Sequence, residues 1–140
     1  METLKIEHRK ILVNEYQNLR ATTGWSQVEN DVVQNALERE LFSVVCTEAD
    51  ANTVVGMGRV IGDGAIYFYI QDVVVHPNYK RRGVGGRIMN EIESFLKKNA
   101  NNNSFVGLMA ADSVSEFYHR FRYLERPHNK PGMFKIMTKL

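Results

Sequence analysis

Asp72-Val-Val-Val-His-Pro-Asn-Tyr-Lys-Arg-Arg-Gly-Val-Gly-Gly-Arg87 decides the fold, because an apolar strand runs through it into a basic, glycine-rich turn that opens a helix. The glycines of the turn are Gly83, Gly85 and Gly86, and its cationic side chains are Lys80, Arg81, Arg82 and Arg87. Glycine lets the backbone approach a ligand closely, and the N–H groups and dipole of a helix start favour an anion. The turn therefore predicts a phosphate cradle, and its expected ligand is a cofactor that bears a pyrophosphate.

Strand and helix patterns around this turn predict an α/β fold with a mixed sheet. Three runs rich in β-branched and aromatic residues, over residues 41–47, 53–61 and 65–75, predict an antiparallel meander. A helix from Val84 and a strand over Phe105 to Ala111, buried on both faces, would then form a parallel, right-handed βαβ unit. The cradle would lie at the carboxyl end of the third strand, where open α/β sheets place their ligands.

Shorter elements are predicted at both ends of the chain. Helical spacing predicts one helix from Ile11 to Arg20 and a second from Ser26 to about Arg39, with Ser26 and Glu29 forming a capping box. Near the carboxyl terminus we expect a short helix over residues 112–121 and a closing strand over residues 132–140.

Composition bounds the class of protein. A chain of 140 residues predicts a single domain over residues 1–140, and a net charge of +2 gives no reason to expect nucleic acid as a partner. Cys46 is the only cysteine, which excludes an intramolecular disulfide and a cysteine-built metal site, and we expect it to be a small buried hydrophobe. The first residues lack a secretory pattern and no segment has the length of a membrane span, so we expect a cytoplasmic protein without a membrane partner.

The glycines of this sequence do not fit either of two well-known phosphate-binding motifs. A P-loop ends in Gly-Lys-Ser/Thr, and Gly85-Gly86-Arg87 does not supply this ending. A dinucleotide fingerprint needs a sixth-position glycine, but counting from Gly83 that position is Ile88, and counting from Gly62 it is Tyr67.

Lys80-Arg81-Arg82-Gly83-Val84-Gly85 instead resembles the Gln/Arg-x-x-Gly-x-Gly/Ala turn of the GNAT superfamily of acetyl-CoA-dependent N-acetyltransferases. The segments Gly56-Met-Gly-Arg-Val-Ile-Gly-Asp-Gly64 and Phe117-Tyr-His-Arg-Phe-Arg-Tyr123 also resemble GNAT segments in the right order. The resemblance implies a GNAT fold, acetyl-CoA as co-substrate, no metal, and direct attack of a primary amine in a ternary complex. The amine would belong to a small molecule or a polypeptide, and a homodimer is possible because dimers are common in this family.

The resemblance also implies roles for particular residues. Backbone amides of Arg81 to Gly86 would bind the diphosphate of coenzyme A, with Arg81, Arg82 and Arg87 neutralising its charge. The pantetheine arm would add like a strand alongside Val73, Val74 and Val75. The family places an asparagine shortly before its tyrosine, where this chain has Ala111 and Asp112, and we take Asp112 as the candidate contact.

Three side chains are candidates for the reaction itself. Tyr118 matches the GNAT tyrosine that protonates the departing thiolate. The alternative interpretation is that Tyr118 is only a core residue. Asp72 borders the expected acyl site and could be the base, or it could pair with a cation such as Arg59. Trp25 could line the acceptor pocket, or it could staple the first two helices to the sheet.

Two non-catalytic interpretations of the sequence stay open. One is a coenzyme A sensor on the same fold. The other is an RNA binder that uses Lys80 to Arg87, although only Tyr79 supplies an interleaved aromatic ring.

Overall fold

The computed structural model describes residues 3–111 and 114–139, and the chain divides into two compact units, Met1–Leu108 and Met109–Leu140. The first unit contains a five-stranded sheet in the order β1-β2-β3-β4-β5. The strands are β1 (Leu4–Glu7), β2 (Phe42–Glu48), β3 (Thr53–Gly62), β4 (Tyr67–Val75) and β5 (Phe105–Gly107). The helices are α1 (Val13–Arg20), α2 (Asn30–Leu37), α3 (Val84–Asn99) and, in the second unit, α4 (Ser115–His119).

Strand pairing confirms the predicted meander and crossover. β1 to β4 pair antiparallel, whereas β5 pairs parallel with β4, and α3 connects these two strands. The mixed α/β sheet predicted from the sequence is therefore the fold.

Helices cover both faces of the sheet. On one face, side chains of α1 and α2 pack with Val45, Met57 and Val74 of the strands. On the other face, Phe95 of α3 stacks on Phe42 with ring centroids 4.7 Å apart. Since neighbouring strand residues point to opposite faces, each strand contributes to both layers.

Two glycines of β3 set the distance between the sheet and α3. A Cβ built on Gly58 would lie 2.7 Å from Cγ2 of Ile88 and 2.9 Å from Cδ1 of Ile92. A Cβ on Gly56 would lie 2.8 Å from Cγ1 of Val84, the first residue of α3. Glycine at these positions allows α3 to lie directly on β3, which fixes where the helix starts.

The amino-terminal part of the chain differs from the sequence prediction. β1 was not predicted, and α1 begins at Val13 instead of Ile11. The capping box at Ser26 is wrong, because α2 begins only at Asn30. Arg20 donates to the Ser26 carbonyl at 3.2 and 3.0 Å, and Gln17 donates to the Val28 carbonyl at 2.7 Å, so these contacts hold the loop outside the helix.

The carboxyl-terminal part differs as well. β5 ends at Gly107 instead of Ala111, and as an edge strand it leaves Phe105 49% exposed, so burial on both faces is wrong. The short helix spans Ser115–His119, and Asp112 lies outside the described residues. The predicted closing strand is also wrong, because residues 132–139 contain no strand.

Within the described residues, no helix combines the length and apolar character that crossing a membrane requires.

Candidate functional site

The basic turn lies between the end of β4 and the start of α3. A single 3₁₀ turn over Pro77–Tyr79 follows the strand, and Arg81 and Gly83 then take positive φ angles of 67° and 78°. Gly83 is the residue before the helix, and the N–H of Arg87 donates to its carbonyl at 3.0 Å. An α-helix leaves its first N–H groups without intrahelical acceptors, so those of Val84, Gly85 and Gly86 point out of the helix start.

Open space surrounds this helix start. A Cβ built on Gly83 or on Gly86 would meet no atom within 4 Å. At Gly83 the left-handed backbone additionally favours glycine over any residue with a side chain. The turn therefore has both the exposed donors and the room that a phosphate group requires.

Positive charge surrounds the same turn. Lys80, Arg81, Arg82 and Arg87 are all exposed. The guanidinium of Arg82 lies 5.0 Å from the centroid of the Tyr79 ring, and the Tyr79 hydroxyl donates to Glu48 at 3.1 Å. The four cations place positive charge at the helix start, where it favours a bound anion.

Among the described residues, no strand pairs with β4 beside the turn on the side away from β3, and we call this side the free edge. β5 pairs with β4 only over Tyr67 to Tyr69, so β5 does not cover residues 70–75. The N–H of His76 donates to the Val55 carbonyl of β3 at 2.8 Å. Because hydrogen-bonded pairs alternate along an antiparallel ladder, Val74 also faces β3, whereas the backbone groups of Val73 and Val75 face the free edge.

A β-bulge interrupts β4 at Asp72. Met57 lies opposite Val74 and Arg59 lies opposite Gln71, so Asp72 and Val73 together oppose Gly58. Asp72 has a φ of 57°, a left-handed conformation that aspartate tolerates better than most residues. The extra residue bends the strand and redirects the backbone groups that follow it.

The Asp72 side chain is buried and paired. Only 4% of the residue is exposed, and its Oδ2 accepts from Nη1 of Arg59 and from the hydroxyl of Tyr16, both at 2.9 Å. Arg59 also donates to Glu40 at 2.7 Å. Of the two sequence interpretations of Asp72, the pairing with Arg59 is thus present in the structure.

Tyr16 connects this pair to the loop between α1 and α2. Burial first, and then the charge of Asp72, raises the pKa of Tyr16, so its phenol stays a hydrogen-bond donor. Arg20 donates to the Tyr16 hydroxyl at 3.2 Å, and its guanidinium lies 5.4 Å from the centroid of the Trp25 ring. Trp25 itself is 41% exposed, so it does not act as a buried staple.

Sequence reasoning missed Tyr16 and Arg20 as members of this network. The available signal was the position of Tyr16 on the apolar stripe of its helix, since a buried tyrosine hydroxyl usually needs a partner. Neither the partner nor the role of Arg20 could be read from spacing alone.

Tyr118 lies in the second unit, on α4. It is half-buried, with ring centroids 5.0 Å from Phe117 and 6.4 Å from Tyr123. Burial raises the pKa of Tyr118, so the phenol holds its proton well above neutral pH. A phenol in this state can give a proton to a more basic atom.

Other conspicuous polar side chains have local roles. Cys46 is fully buried, and burial raises the pKa of its thiol, as expected for a small core hydrophobe. Nδ1 of His76 accepts from the N–H of Asn78 at 3.1 Å, and His119 contacts Glu125 at 2.7 Å. Over residues 3–111 and 114–139, no three His, Cys, Asp or Glu side chains form a group that could hold a metal ion.

Comparisons with known proteins agree with this geometry. Residues 12–132 match the family model described as the acetyltransferase (GNAT) domain. An uncharacterized N-acetyltransferase of Porphyra purpurea, ycf52, is 26% identical over 128 residues, which are 90% of this chain and 72% of that protein.

Solved structures show the same architecture. SA2161 of Staphylococcus aureus, a protein of unknown function, superposes with a TM-score of 0.89 at 27% identity, over 96% of this chain and 100% of that one. The GNAT-family acetyltransferase SP0256 of Streptococcus pneumoniae superposes with a TM-score of 0.79 at 25% identity, over 98% and 100% of the two chains.

Proposed function

Because this chain belongs to the GNAT acetyltransferase family, we propose that it transfers the acetyl group of acetyl-CoA to a primary amine of a small molecule or a polypeptide. The observation that carries the proposal is the helix start at Gly83, where outward N–H groups, open space and four cations come together. A diphosphate is the ligand for which this combination is suited.

Binding of the donor would use two adjacent features of the first unit. The N–H groups of Val84, Gly85 and Gly86 would donate hydrogen bonds to the diphosphate, with Lys80 to Arg82 and Arg87 supplying countercharge. The carbonyl of Val73 and the backbone groups of Val75 would pair with the amides of the pantetheine arm, as in other additions of an extended ligand to a sheet edge. Asp112 stays our candidate for a further contact to that arm.

The reaction would be a direct attack of the amine nitrogen on the thioester carbonyl. A C–N bond forms and the C–S bond breaks, while the N–H of Val73 at the bulge donates to the developing oxyanion. The attacking nitrogen would lose its proton to solvent, while the phenol of Tyr118 would give its proton to the departing thiolate and regain one from solvent. Burial raises the pKa of Tyr118, so the phenol is protonated at neutral pH, as this role requires, and the same shift makes it a weaker acid.

We assign Asp72 to holding the bulge. Its Oδ2 already accepts two hydrogen bonds, from Arg59 and Tyr16, and only 4% of the residue is exposed, so the carboxylate is engaged in the core. A base would have to take a proton from the ammonium form of the acceptor. If Asp72 were that base, Asp72→Asn would abolish the acidic limb of the pH profile of kcat/KM; we expect the limb to persist at a lower rate.

Trp25 is our candidate for contact with the acceptor. Its exposed indole lies on the loop that Arg20 holds against α1, so the ring is fixed and accessible at once. A flat apolar surface of this kind suits the carbon skeleton of an amine.

A titration and an assay test the function together. Acetyl-CoA at about a hundred times its dissociation constant should stabilise the fold by roughly 2.7 kcal/mol, visible as a thermal shift. A panel of small amines and lysine peptides, assayed by release of free thiol, should then reveal an acceptor. No thermal shift at millimolar acetyl-CoA would refute the proposal, whereas a shift without turnover on any amine would favour the sensor alternative.

Tyr118→Phe tests the acid. We expect turnover to fall roughly a hundredfold, the usual contribution of general acid catalysis, with the affinity for acetyl-CoA unchanged. Tyr69→Phe is the matched control, because burial also raises the pKa of this half-buried tyrosine. Equal turnover in the two variants would remove Tyr118 from the mechanism.

A further inference from the structure

We infer that Tyr16 is a positioning residue for acetyl transfer, because its buried hydroxyl joins the bulge of β4 to the loop that carries Trp25. The inference rests on the proposed function, in which Val73 at the bulge donates to the oxyanion and Trp25 contacts the acceptor. It adds a physical connection between these two sides of the reaction, and one side chain from the interior of the first unit makes it.

The Tyr16 hydroxyl is a junction of two hydrogen bonds. It donates to Oδ2 of Asp72 at 2.9 Å and accepts from Nη1 of Arg20 at 3.2 Å. Only 6% of Tyr16 is exposed, so bulk water does not compete for either bond. A phenylalanine ring would fill the same space but could neither donate nor accept. Packing of α1 on the sheet needs the ring alone, so the hydroxyl has a separate role.

On the sheet side, the hydroxyl anchors the residue that precedes the oxyanion donor. The N–H of Val73 belongs to the planar peptide unit that joins Asp72 to Val73, so the backbone of Asp72 sets the direction of this N–H. Asp72 has a φ of 57°, a sparsely populated conformation that persists only where neighbouring groups fix it. Arg59 of β3 and Tyr16 of α1 both donate to its carboxylate. Removing the Tyr16 hydroxyl therefore takes away the anchor from α1.

On the other side, Arg20 closes the loop that carries Trp25. Its guanidinium donates to the Ser26 carbonyl through Nε at 3.2 Å and through Nη2 at 3.0 Å. Its backbone carbonyl accepts from the Thr23 hydroxyl at 2.6 Å, and the oxygen of that hydroxyl accepts from the N–H of Trp25 at 3.1 Å. Arg20 thus holds the loop through its backbone and its side chain, and the Tyr16 hydroxyl links the same guanidinium to the bulge.

The arrangement of charges favours this link. Glu40 and Asp72 pair with the same guanidinium of Arg59, at 2.7 and 2.9 Å, so their formal charges exceed its charge by one. Arg20 supplies a further cation beside the Tyr16 hydroxyl, on the side opposite to Asp72. A hydroxyl between a cation and a carboxylate is polarised by both, which strengthens its two hydrogen bonds. The loop and the bulge are therefore connected by a short chain of charge-assisted bonds.

Steady-state kinetics with an amine that the assay panel identifies measure each side separately. In Tyr16→Phe we expect kcat to fall roughly tenfold or more, because a slightly misplaced oxyanion donor slows the reaction steeply. The dissociation constant of acetyl-CoA should not change. In Arg20→Met we expect the KM of the amine to rise roughly fivefold, since the released loop must be ordered again when the acceptor binds, while kcat changes little.

The double variant tests the connection. Both substitutions remove the hydrogen bond between Tyr16 and Arg20, so the loss in kcat/KM should be smaller than the product of the single losses, by roughly threefold or more. Tyr16→Phe combined with Arg39→Met is the matched control, because Arg39 is an exposed arginine just after α2. In that control the two effects should multiply.

Fluorescence anisotropy follows the loop without any turnover, because Trp25 is the only tryptophan of the chain. The anisotropy of Trp25 should fall in Arg20→Met and, to a smaller extent, in Tyr16→Phe. It should stay unchanged in Tyr69→Phe, which removes the hydroxyl of a half-buried tyrosine on β4. Circular dichroism and thermal unfolding verify that each variant is folded.

The outcomes distinguish this inference from the proposed function. An unmodified chain that binds acetyl-CoA but acetylates no amine would overturn the proposed function and the inference with it. In an active protein, an unchanged kcat in Tyr16→Phe would overturn the inference alone, even if Tm falls, because a purely structural hydroxyl gives that result. Losses that multiply in the double variant, or an unchanged Trp25 anisotropy in Arg20→Met, would also overturn it.

Discussion

Replacing Gly83 by alanine tests whether this glycine serves phosphate binding or only avoids backbone strain. The chain offers a matched control at Gly24. Gly83 and Gly24 have φ angles of 78° and 79°, and a Cβ on either would meet no atom within 4 Å. Gly83 precedes α3 at the proposed diphosphate site, whereas Gly24 lies in the loop after α1. The two substitutions therefore impose the same strain at different places.

The effect on stability should be equal. An alanine held in the left-handed region costs roughly 1–2 kcal/mol relative to glycine. For a chain of this size, that cost corresponds to a fall in Tm of roughly 3–8 °C. Both variants should remain folded.

The effect on acetyl-CoA binding should differ. In Gly83→Ala the new methyl group occupies the space in front of the helix start and separates the diphosphate from at least one N–H donor. Loss of one hydrogen bond to a charged group costs about 1.5–3 kcal/mol, which raises the dissociation constant roughly 10- to 150-fold. Gly24→Ala should bind acetyl-CoA like the unmodified chain.

Isothermal titration of the three proteins with acetyl-CoA measures this difference, and thermal unfolding without ligand checks that the strain is matched. The reasoning is refuted if Tm falls by the same amount in both variants and the two variants bind acetyl-CoA with equal affinity. Such a result would place the diphosphate somewhere other than the helix start.

Two further predictions concern the buried network. Arg59→Met leaves Glu40 and Asp72 buried without their cation and should lower the free energy of unfolding by about 3–5 kcal/mol. Asp72→Asn leaves Arg59 paired with Glu40 alone and should lower the free energy of unfolding by only about 1–3 kcal/mol. Urea titration measures both losses, and a larger loss in Asp72→Asn than in Arg59→Met would contradict the charge argument. Burial raises the pKa of Tyr16 above its ordinary value of 10.0, so above that pH the unfolded chain loses this proton before the folded chain does, and stability falls as the pH rises. Tyr16→Phe should flatten that fall in urea midpoints measured from about pH 9 to 11; an unchanged slope would exclude Tyr16 as its source.

The central elements could be predicted because their signals are local and long. β2, β3 and β4 are runs of β-branched residues closed by polar or glycine turns, and α3 has a clear apolar stripe. The glycine-rich turn and the start of α3 were predictable for the same reason, since glycines, cations and an apolar stripe follow one another in the chain.

The remaining features depend on contacts between distant residues. β1 has only four residues, two of them charged, and exists through pairing with β2. The start of α2 is set by Arg20 and Gln17 from the previous helix, which no local cap can reveal. Likewise the sequence singles out Asp72 as a candidate residue, but its pairing with Tyr16 spans 56 positions in the sequence.

The close approach of α3 to β3 at Gly56 and Gly58 affects the affinity and the kinetics of ligand binding at the start of the helix. Since the helix cannot slide on the sheet without moving Ile88 and Ile92, the first turn of α3 is rigid before anything binds. A rigid site loses little conformational entropy on association, so most of the interaction energy remains as affinity. We therefore expect encounter with the donor to proceed in one kinetic step, without a slow rearrangement of the turn.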